Sequence, residues 1–511
     1  MNEEQSYFLG EEVTPSTPEE STNAKAPLPP VTWRDIAAPF LALALAVLYW
    51  EAFAFVRMAE YGFPHLGVLV FVAAYFAVIL FILGRQTKWT VGGTVCMAAS
   101  LVLALSCALY AIESFAILNC FVILLTAAMA TFSLSGQAVN PCGRVMAIPE
   151  AVKLSFLALF SRVSRPFQVA GQVGKDYKNN LGRVALSVAI AVPVLAVVLW
   201  LLASADAVFG SLFQNIRFDF PTRFVWRPVR AVVLALFIAS GLYFIRETPA
   251  QTEAVEKRSK ERHVLPFLLI TVLLNIVYII FCIIQIKYLF GKSEAAAMAG
   301  GWAYYAREGF FQLVAVAFIN LGLCLLAADE KRYAAKGGMV LRVADGLLLI
   351  LTAIILASAF RRMQLYILAY GLSVLRLETL WAMAVIAVGI VTAAWKLYRP
   401  GFGFFRVAGG FALGLWCLMC LANPGGMIAR YNVDHYLSGQ LETVDTYYLY
   451  WTAYYDALPA YRDLEAAVPD DDAGERAGRY ILDLEDDTQW YSPWTCWSLS
   501  AARARYMADK R

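Results

Sequence analysis

The chain has 511 residues, 60% apolar and 16% charged, whereas soluble domains run at roughly 45 to 50% apolar and about 25% charged. An ordinary water-soluble fold is excluded, and a bilayer is the expected solvent. Its 42 basic and 39 acidic residues leave a formal charge of +3, too weak a field to argue for a nucleic-acid partner.

Residues 1–31 carry six glutamates among Ser, Thr and Pro, a composition that cannot repay the entropy of folding. A disordered acidic tail is expected there. No basic stretch leads into an apolar core with a small-residue cleavage site, so it does not read as a cleavable signal peptide. Apolar segments then recur at 36–56, 65–83, 91–111, 115–134, 184–204, 229–245, 265–289, 309–328, 340–360, 379–397 and 404–422. Each is near the roughly 20 residues that a helix needs to cross about 30 Å of hydrocarbon. An all-α polytopic bundle of about eleven spans over residues 32–422 follows. Residues 91–134 are almost continuously apolar, but as one helix they would measure roughly 65 Å. The chain is therefore expected to reverse near Ala111-Ile112-Glu113-Ser114, with Glu113 at the tip.

The distribution of Lys and Arg sets the expected orientation. With the N-terminus inside, the cytoplasmic segments hold 23 basic residues, the external loops 11 and the tail beyond 422 the remaining eight. That bias favours a cytoplasmic N-terminus and leaves the tail outside. A hidden or missing span in 205–228 or 361–378 would move the tail to the other side.

Between 144 and 168, Val152, Phe156, Leu159, Phe160, Val163 and Phe167 recur at helical spacing, flanked by Lys153, Arg162 and Arg165. The pattern suits a helix in the inner headgroup layer, with cations towards anionic lipid; the alternative is a twelfth span. Residues 361–378 are too short to cross and are expected to lie on the external surface or to dip in and return. Asn423 and Pro424 end the last span and begin a short helix reaching Gly439. A helix over 445–458, capped by Asp445 and stopped by Pro459, follows, then one over 473–484. The ending sets Trp490, Trp494 and Trp497 before a short basic helix, an arrangement for a membrane interface or a protein groove. This tail, 423–511, has too little core to be very stable alone and is expected to dock on the external loops.

Six separated blocks resemble one family: Leu202-Ala-Ser-Ala-Asp206-Ala-Val-Phe209; Tyr305-Ala-Arg307-Glu-Gly309-Phe-Phe311; Leu365-Tyr-Ile-Leu-Ala-Tyr370-Gly371-Leu-Ser-Val-Leu-Arg376; Asn423-Pro424 with Ile428-Ala-Arg430-Tyr431-Asn432; Tyr455-Asp456-Ala-Leu-Pro459; and the Trp494/Trp497 ending. The chain resembles the bacterial polytopic membrane proteins grouped as domain of unknown function forty-one seventy-three, with its close relative forty-one fifty-three. The resemblance implies a polytopic architecture and a bacterial inner-membrane setting, and carries no reaction with it. Ala207 stands where the family pattern usually has Pro.

These blocks fall at or beyond the external span ends. Asp206, Arg307, Glu308, Arg361, Arg362, Arg376, Glu378, Arg430, Asn432, His435 and Asp456 are accordingly expected to converge in an external polar site. Ionisable groups at bundle ends line substrate paths or bind anionic headgroups; the other reading is that they pin the tail to the loops. Arg430 has Asp434 one helical turn on, which favours a structural pair, and its removal is expected to loosen the tail. Arg376 and Glu378 leave both readings open, and His435 reads first as a satisfied surface imidazole.

Three histidines, His65, His263 and His435, are too few for a four-histidine iron site and argue against a His-based metal cluster. No zinc-protease, Walker or nucleophile-elbow motif occurs. Cys417-x-x-Cys420 on an apolar helix reads as neither a zinc nor a redox site. No catalytic residue, metal or cofactor is expected. Two readings remain, both with membrane lipids as surroundings. One is a non-catalytic component that binds a protein or envelope polymer through its external loops and tail; the other is a transporter or lipid-handling protein with an externally open charged cavity.

Overall fold

The computed structural model describes residues 31–53, 62–176, 222–248, 263–290, 310–328, 330–399, 401–487 and 493–508. Every regular element among them is helical. The first half of the bundle comprises α1 (Trp33–Phe53), α2 (His65–Leu83), α3 (Val91–Leu109), α4 (Glu113–Ser135), α5 (Ala147–Ser161), α6 (Arg165–Asp176) and α7 (Thr222–Glu247). The second comprises α8 (Leu265–Phe290), α9 (Phe310–Ala327), α10 (Glu330–Ala334), α11 (Gly338–Tyr370), α12 (Val374–Tyr398) and α13 (Phe404–Leu421). The tail adds α14 (Pro424–Leu437), α15 (Thr446–Ala453), α16 (Leu458–Ala467), α17 (Asp472–Asp487) and α18 (Leu499–Ala508).

Nine helices among the described residues are long and apolar enough to cross a membrane, and α9 is a shorter apolar helix. These ten match ten of the eleven expected spans; 184–204 lies outside the described residues. Helices α3 and α4 reverse where expected, with Glu113 exposed in the first turn of α4. A carboxylate there opposes the positive end of the helix dipole.

Two expectations change. Residues 361–370 do not form a separate surface piece: α11 continues through Arg361 and Arg362 to Tyr370. The two arginines end the apolar run without ending the helix, whose backbone hydrogen bonds carry on through them. The basic segment at 144–168 breaks between α5 and α6. Val152, Phe156, Phe160 and Phe167 do face outward, while Ala151, Leu154 and Ala158 pack inward. Arg165, however, is buried instead of reaching lipid.

Hydrogen bonds fix which helix ends share a side. Arg246 at the end of α7 pairs with Asp35 at the start of α1 at 2.9 Å and donates to the Ile82 carbonyl at the end of α2 at 2.9 Å. Tyr243 donates to the Asp35 carbonyl at 2.6 Å, and Gln137, just after α4, to the Phe244 carbonyl at 2.7 Å. Arg165 completes this end by donating to Glu247 at 2.7 Å, with both side chains buried. Each cation thus meets a carboxylate or a carbonyl of a helix terminus, the condition for burying charge.

The halves meet where α3 packs on α13. There Trp416 stacks on Phe115, with ring centroids 5.5 Å apart, and meets Trp381 edge-on at 5.2 Å. One core cluster runs from α8, α9, α11 and α12 into the tail, through Ile428, Val433, Leu449, Leu458, Tyr461 and Leu464. The tail therefore completes the core of the second half. Removing Arg165 leaves the buried Glu247 with the longer, 3.8 Å contact to Arg162, so Arg165→Ala is expected to lower stability by about 3 kcal/mol, the low end for breaking a buried pair. Thermal unfolding in detergent should show this loss, and Arg165→Ala with Glu247→Ala together should recover part of it.

Candidate functional site

The tail sits at the end of the bundle opposite the start of α1, and its hydrogen bonds draw in both halves. Asn423 ends α13 at a positive φ of 56° and caps α14 by accepting from the Gly426 N–H at 3.0 Å. Asn tolerates that left-handed conformation, and Pro424 suits the first helical turn. About two and a half turns on, Asn432 is buried against the loop between α11 and α12. Its Oδ1 accepts from the Leu372 N–H at 2.6 Å, and its Nδ2 donates to the Leu372 carbonyl at 2.8 Å. The amide thus imitates one rung of a sheet. Gly371 lies at φ +76°, and a Cβ there would run into Asn432 Oδ1.

Arg376 serves the same loop. Its Nη1 donates to the Tyr370 carbonyl at 2.9 Å and also to the Gly371 carbonyl, and its guanidinium lies 4.1 Å over the Tyr366 ring. It neutralises the negative end of α11, whose last carbonyls lack helical partners. Tyr448 on α15 adds a bond from its hydroxyl oxygen, which accepts from the Val374 N–H at 2.9 Å.

The contact with the first half centres on Asp456. The expected helix over 445–458 breaks before this residue: α15 ends at Ala453, and Tyr454 takes φ 48°. A bulky residue at positive φ is strained and persists only where its surroundings hold it. The kink delivers Asp456 into the α3–α4 reversal. Pro459 does not stop this helix; it opens α16 in the first turn, where its missing N–H costs nothing.

Asp456 Oδ2 accepts from the Ala111 N–H at 3.0 Å, and Oδ1 faces the Ser500 hydroxyl. Ser500 Oγ also lies 3.1 Å from the Leu109 carbonyl. One hydroxyl proton thus faces two acceptors. In the ionised form Ser500 shares its proton between Asp456 and Leu109; once Asp456 is protonated its own O–H can serve Ser500, which frees the Ser500 hydroxyl for Leu109. Burial pushes this carboxyl from its ordinary 3.8 up to about 6, against the opposing pull of Ser500, Ala111, Asn423 and Arg503. Nearby, the Leu66 N–H donates to the Trp497 carbonyl at 3.1 Å, joining the end of the tail to α2.

Beneath this seat Asn119 on α4 accepts from Trp416 Nε1 at 2.8 Å and from the Cys420 thiol at 3.4 Å, and donates to Ser106 at 3.2 Å. A cavity of about 10 Å³ lies among Asn119, Ser106, Tyr110, Cys420 and Pro424, room for about one water.

The expected polar site is thereby divided. Asn432 and Arg376 meet at the α11–α12 loop, and Asp456 lies at the α3–α4 loop. Glu378 is half-buried in α12. His435 is a satisfied imidazole, its Nδ1 2.8 Å from the Tyr431 carbonyl and its ring stacked on Tyr431 at 3.8 Å. Arg430 pairs with Asp434 at 3.6 Å, with 69% and 56% of their side chains exposed. The expected Arg430–Asp434 pair forms, but so exposed a pair adds little to the seating of the tail. Asp206, Arg307 and Glu308 lie outside the described residues. No group of three or more metal-ligating side chains occurs among the described residues. Ser500, Asn119 and Tyr448 had no sequence signal beyond being polar in an apolar or aromatic run.

Residues 97–464 match the family described as Domain of unknown function (DUF4153). The chain belongs to that family. The resemblance pointed first to forty-one seventy-three; the match falls on its relative, forty-one fifty-three, and extends back into α3, ahead of the blocks that carried the resemblance. No curated protein and no solved structure matches the chain. In this DUF4153 protein the match covers Asn432, Arg376 and Asp456 but not Ser500.

Two predictions follow from the seat. Gly371→Ala and Asn432→Ala should each free the tail, at a cost of about 1 to 3 kcal/mol, read as faster proteolysis between α13 and α16, whereas Arg430→Ala should match the parent. Because the folded carboxyl at 456 holds its proton more tightly than the unfolded one, its contribution is full below about pH 4 and is lost as pH rises through about pH 6. Hydrogen exchange of Ala111 and α18 should therefore quicken across that window, and Asp456→Asn should flatten the dependence.

Proposed function

We propose that this chain is a non-catalytic, multi-pass component of a bacterial envelope, whose seated tail presents a binding surface for a protein or envelope polymer on the non-cytoplasmic face. The observation that carries the reading is the use of the candidate polar groups: Asn432, Arg376 and Asp456 are hydrogen-bonded in the tail seat. Aromatic side chains also face outward on the tail, among them Tyr447, Trp451 and Tyr506, beside exposed charged pairs such as Arg430–Asp434 and Arg479–Glu475. Rigid aromatic side chains give large contact area at low entropic cost and recur where partners bind. The non-cytoplasmic side rests on the bias of Lys and Arg towards the opposite loops.

The test combines topology with capture. Tyr447→Cys is expected to react with a membrane-impermeant maleimide from outside the intact inner membrane. A photo-crosslinking residue at Trp451 is expected to give discrete adducts there. Tyr447→Ala with Trp451→Ala should reduce partner retention at least about tenfold, the loss expected for one well-buried aromatic anchor, with tail protection unchanged. Labelling only from the cytoplasmic side, or no adduct with the tail in place, would overturn the proposal.

A further inference from the structure

The second half of the bundle holds a polar seam that the tail seat does not use. Helix α8 carries Thr271, Asn275 and Tyr278 at i, i+4 and i+7, positions that share one face. Helix α11 sets Asp345 and Thr352 opposite them, and α9 adds Asn320 and Cys324. Asp345, Asn320 and Thr352 are completely buried, and Asn275 is 5% exposed. Tyr278 donates to Asn320 at 3.0 Å, Asn320 to Thr352 at 3.1 Å, and Thr352 to the Leu348 carbonyl at 2.6 Å. Asp345 and Thr352, seven residues apart, place the ends of the seam about 10 Å apart along α11.

A count of hydrogens at its Asp345 end comes up short. Thr271 donates to Asp345 Oδ1 at 3.2 Å and Tyr333 to Oδ2 at 2.8 Å. Asn275 Nδ2 donates to the Ala344 carbonyl at 2.9 Å. That bond fixes the amide orientation, since the flipped amide would set oxygen against oxygen. Asn275 Oδ1 then lies in the same contact between α8 and α11 with no donor among the described residues. A carboxylate and an amide oxygen share two hydroxyl donors there, well below their accepting capacity. One more proton, carried by Asp345, adds a donor and removes the cost of a buried anion.

The charged and titratable groups around Asp345 come from each neighbouring element. Arg332 on α10 supplies an opposing charge, but its Nη1 donates to the Leu326 and Ala327 carbonyls at 2.6 and 2.9 Å, and it stacks over Phe267 at 3.9 Å. Arg342, one turn earlier on α11, lies 4.9 Å over the Tyr333 ring. Cys324 gives its S–H to the Asp345 backbone carbonyl. Lys396 near the end of α12 donates to the Phe402 carbonyl, and α8 faces Asp345 with the uncharged Thr271 and Asn275. The hydrogen bonds to the carboxylate come from neutral hydroxyls.

We propose that Asp345 is an exchangeable proton-binding site inside the bundle, and that Asn275 with the Tyr278–Asn320–Thr352 chain forms the polar route leading from it between α8, α9 and α11. Uptake joins one proton to the carboxylate and release returns it to water, with no other reactant. The site goes beyond the partner-binding reading and uses none of its residues, so either can fail alone.

Infrared difference spectroscopy of the full-length protein in lipid nanodiscs, stepped through pH, tests it. A protonated carboxyl band, shifted in D2O, should appear as pH falls, and one component of it, separate from that of Asp456, should be absent in Asp345→Asn. Asn275→Leu, which removes the unpartnered acceptor, should move the midpoint by about one pH unit, a tenfold change in proton affinity. Identical pH-difference spectra for parent and Asp345→Asn would make Asp345 a fixed partner of Arg332 or a permanently neutral acid, and either overturns exchange. If Asp345→Asn does not fold, Tyr333→Phe and Asn275→Leu decide, and an unmoved midpoint in both overturns the proposal.

Discussion

A carboxyl group taken out of water must find donors, and the arrangement of this protein turns on where one such group finds them. Asp456 meets the Ala111 N–H and the Ser500 hydroxyl, which lie in sequence-distant parts of the chain. The α3–α4 reversal needs a partner for a buried N–H that no helix satisfies, and the carboxyl needs a donor. Each satisfies the other, and water is displaced from both. The kink at Tyr454, the Asn423 cap and the position of α18 can all be understood as conditions for that meeting.

The two ends of the bundle solve the same problem with different chemistry. At the start of α1, full charges are paired: Arg246 with Asp35 and Arg165 with Glu247. Under the tail, Asn119, Asn432 and Tyr448 act through neutral hydrogen bonds, and Arg376 binds carbonyls instead of a carboxylate. Ion pairs hold a fixed geometry over a wide pH range, whereas the tail end contains a carboxyl poised to change its charge near neutrality.

Hydropathy made the spans legible, because a helix is the simplest way to satisfy a backbone in lipid. The reversal at 111–114 followed from length alone, and the Asn423-Pro424 start of α14 from local conformational preference. Hydropathy marks the lipid boundary and not the end of a helix, which is why Arg361 and Arg362 looked like a terminus yet lie within α11. Pro459 was ambiguous because proline both stops and starts helices. Of the candidate site, Asn432, Arg376 and Asp456 were legible as polar groups near span ends. Their partners were not, since a bond from Asp456 to a backbone N–H at Ala111 leaves no mark on the identity of Ala111. Arg430 was legible in its pairing with Asp434 one turn on, but its outward position leaves that pair little weight.

Helix α11 has 33 residues, a length of about 50 Å against about 30 Å of hydrocarbon. Even with a tilt of about 20°, its vertical reach exceeds the oily layer by more than ten ångströms, on the order of three helical turns in total. Because Asn432 grips the loop at its tip, α11 acts as a strut: whatever shifts or tilts this long helix in the bilayer also moves the seat of the tail.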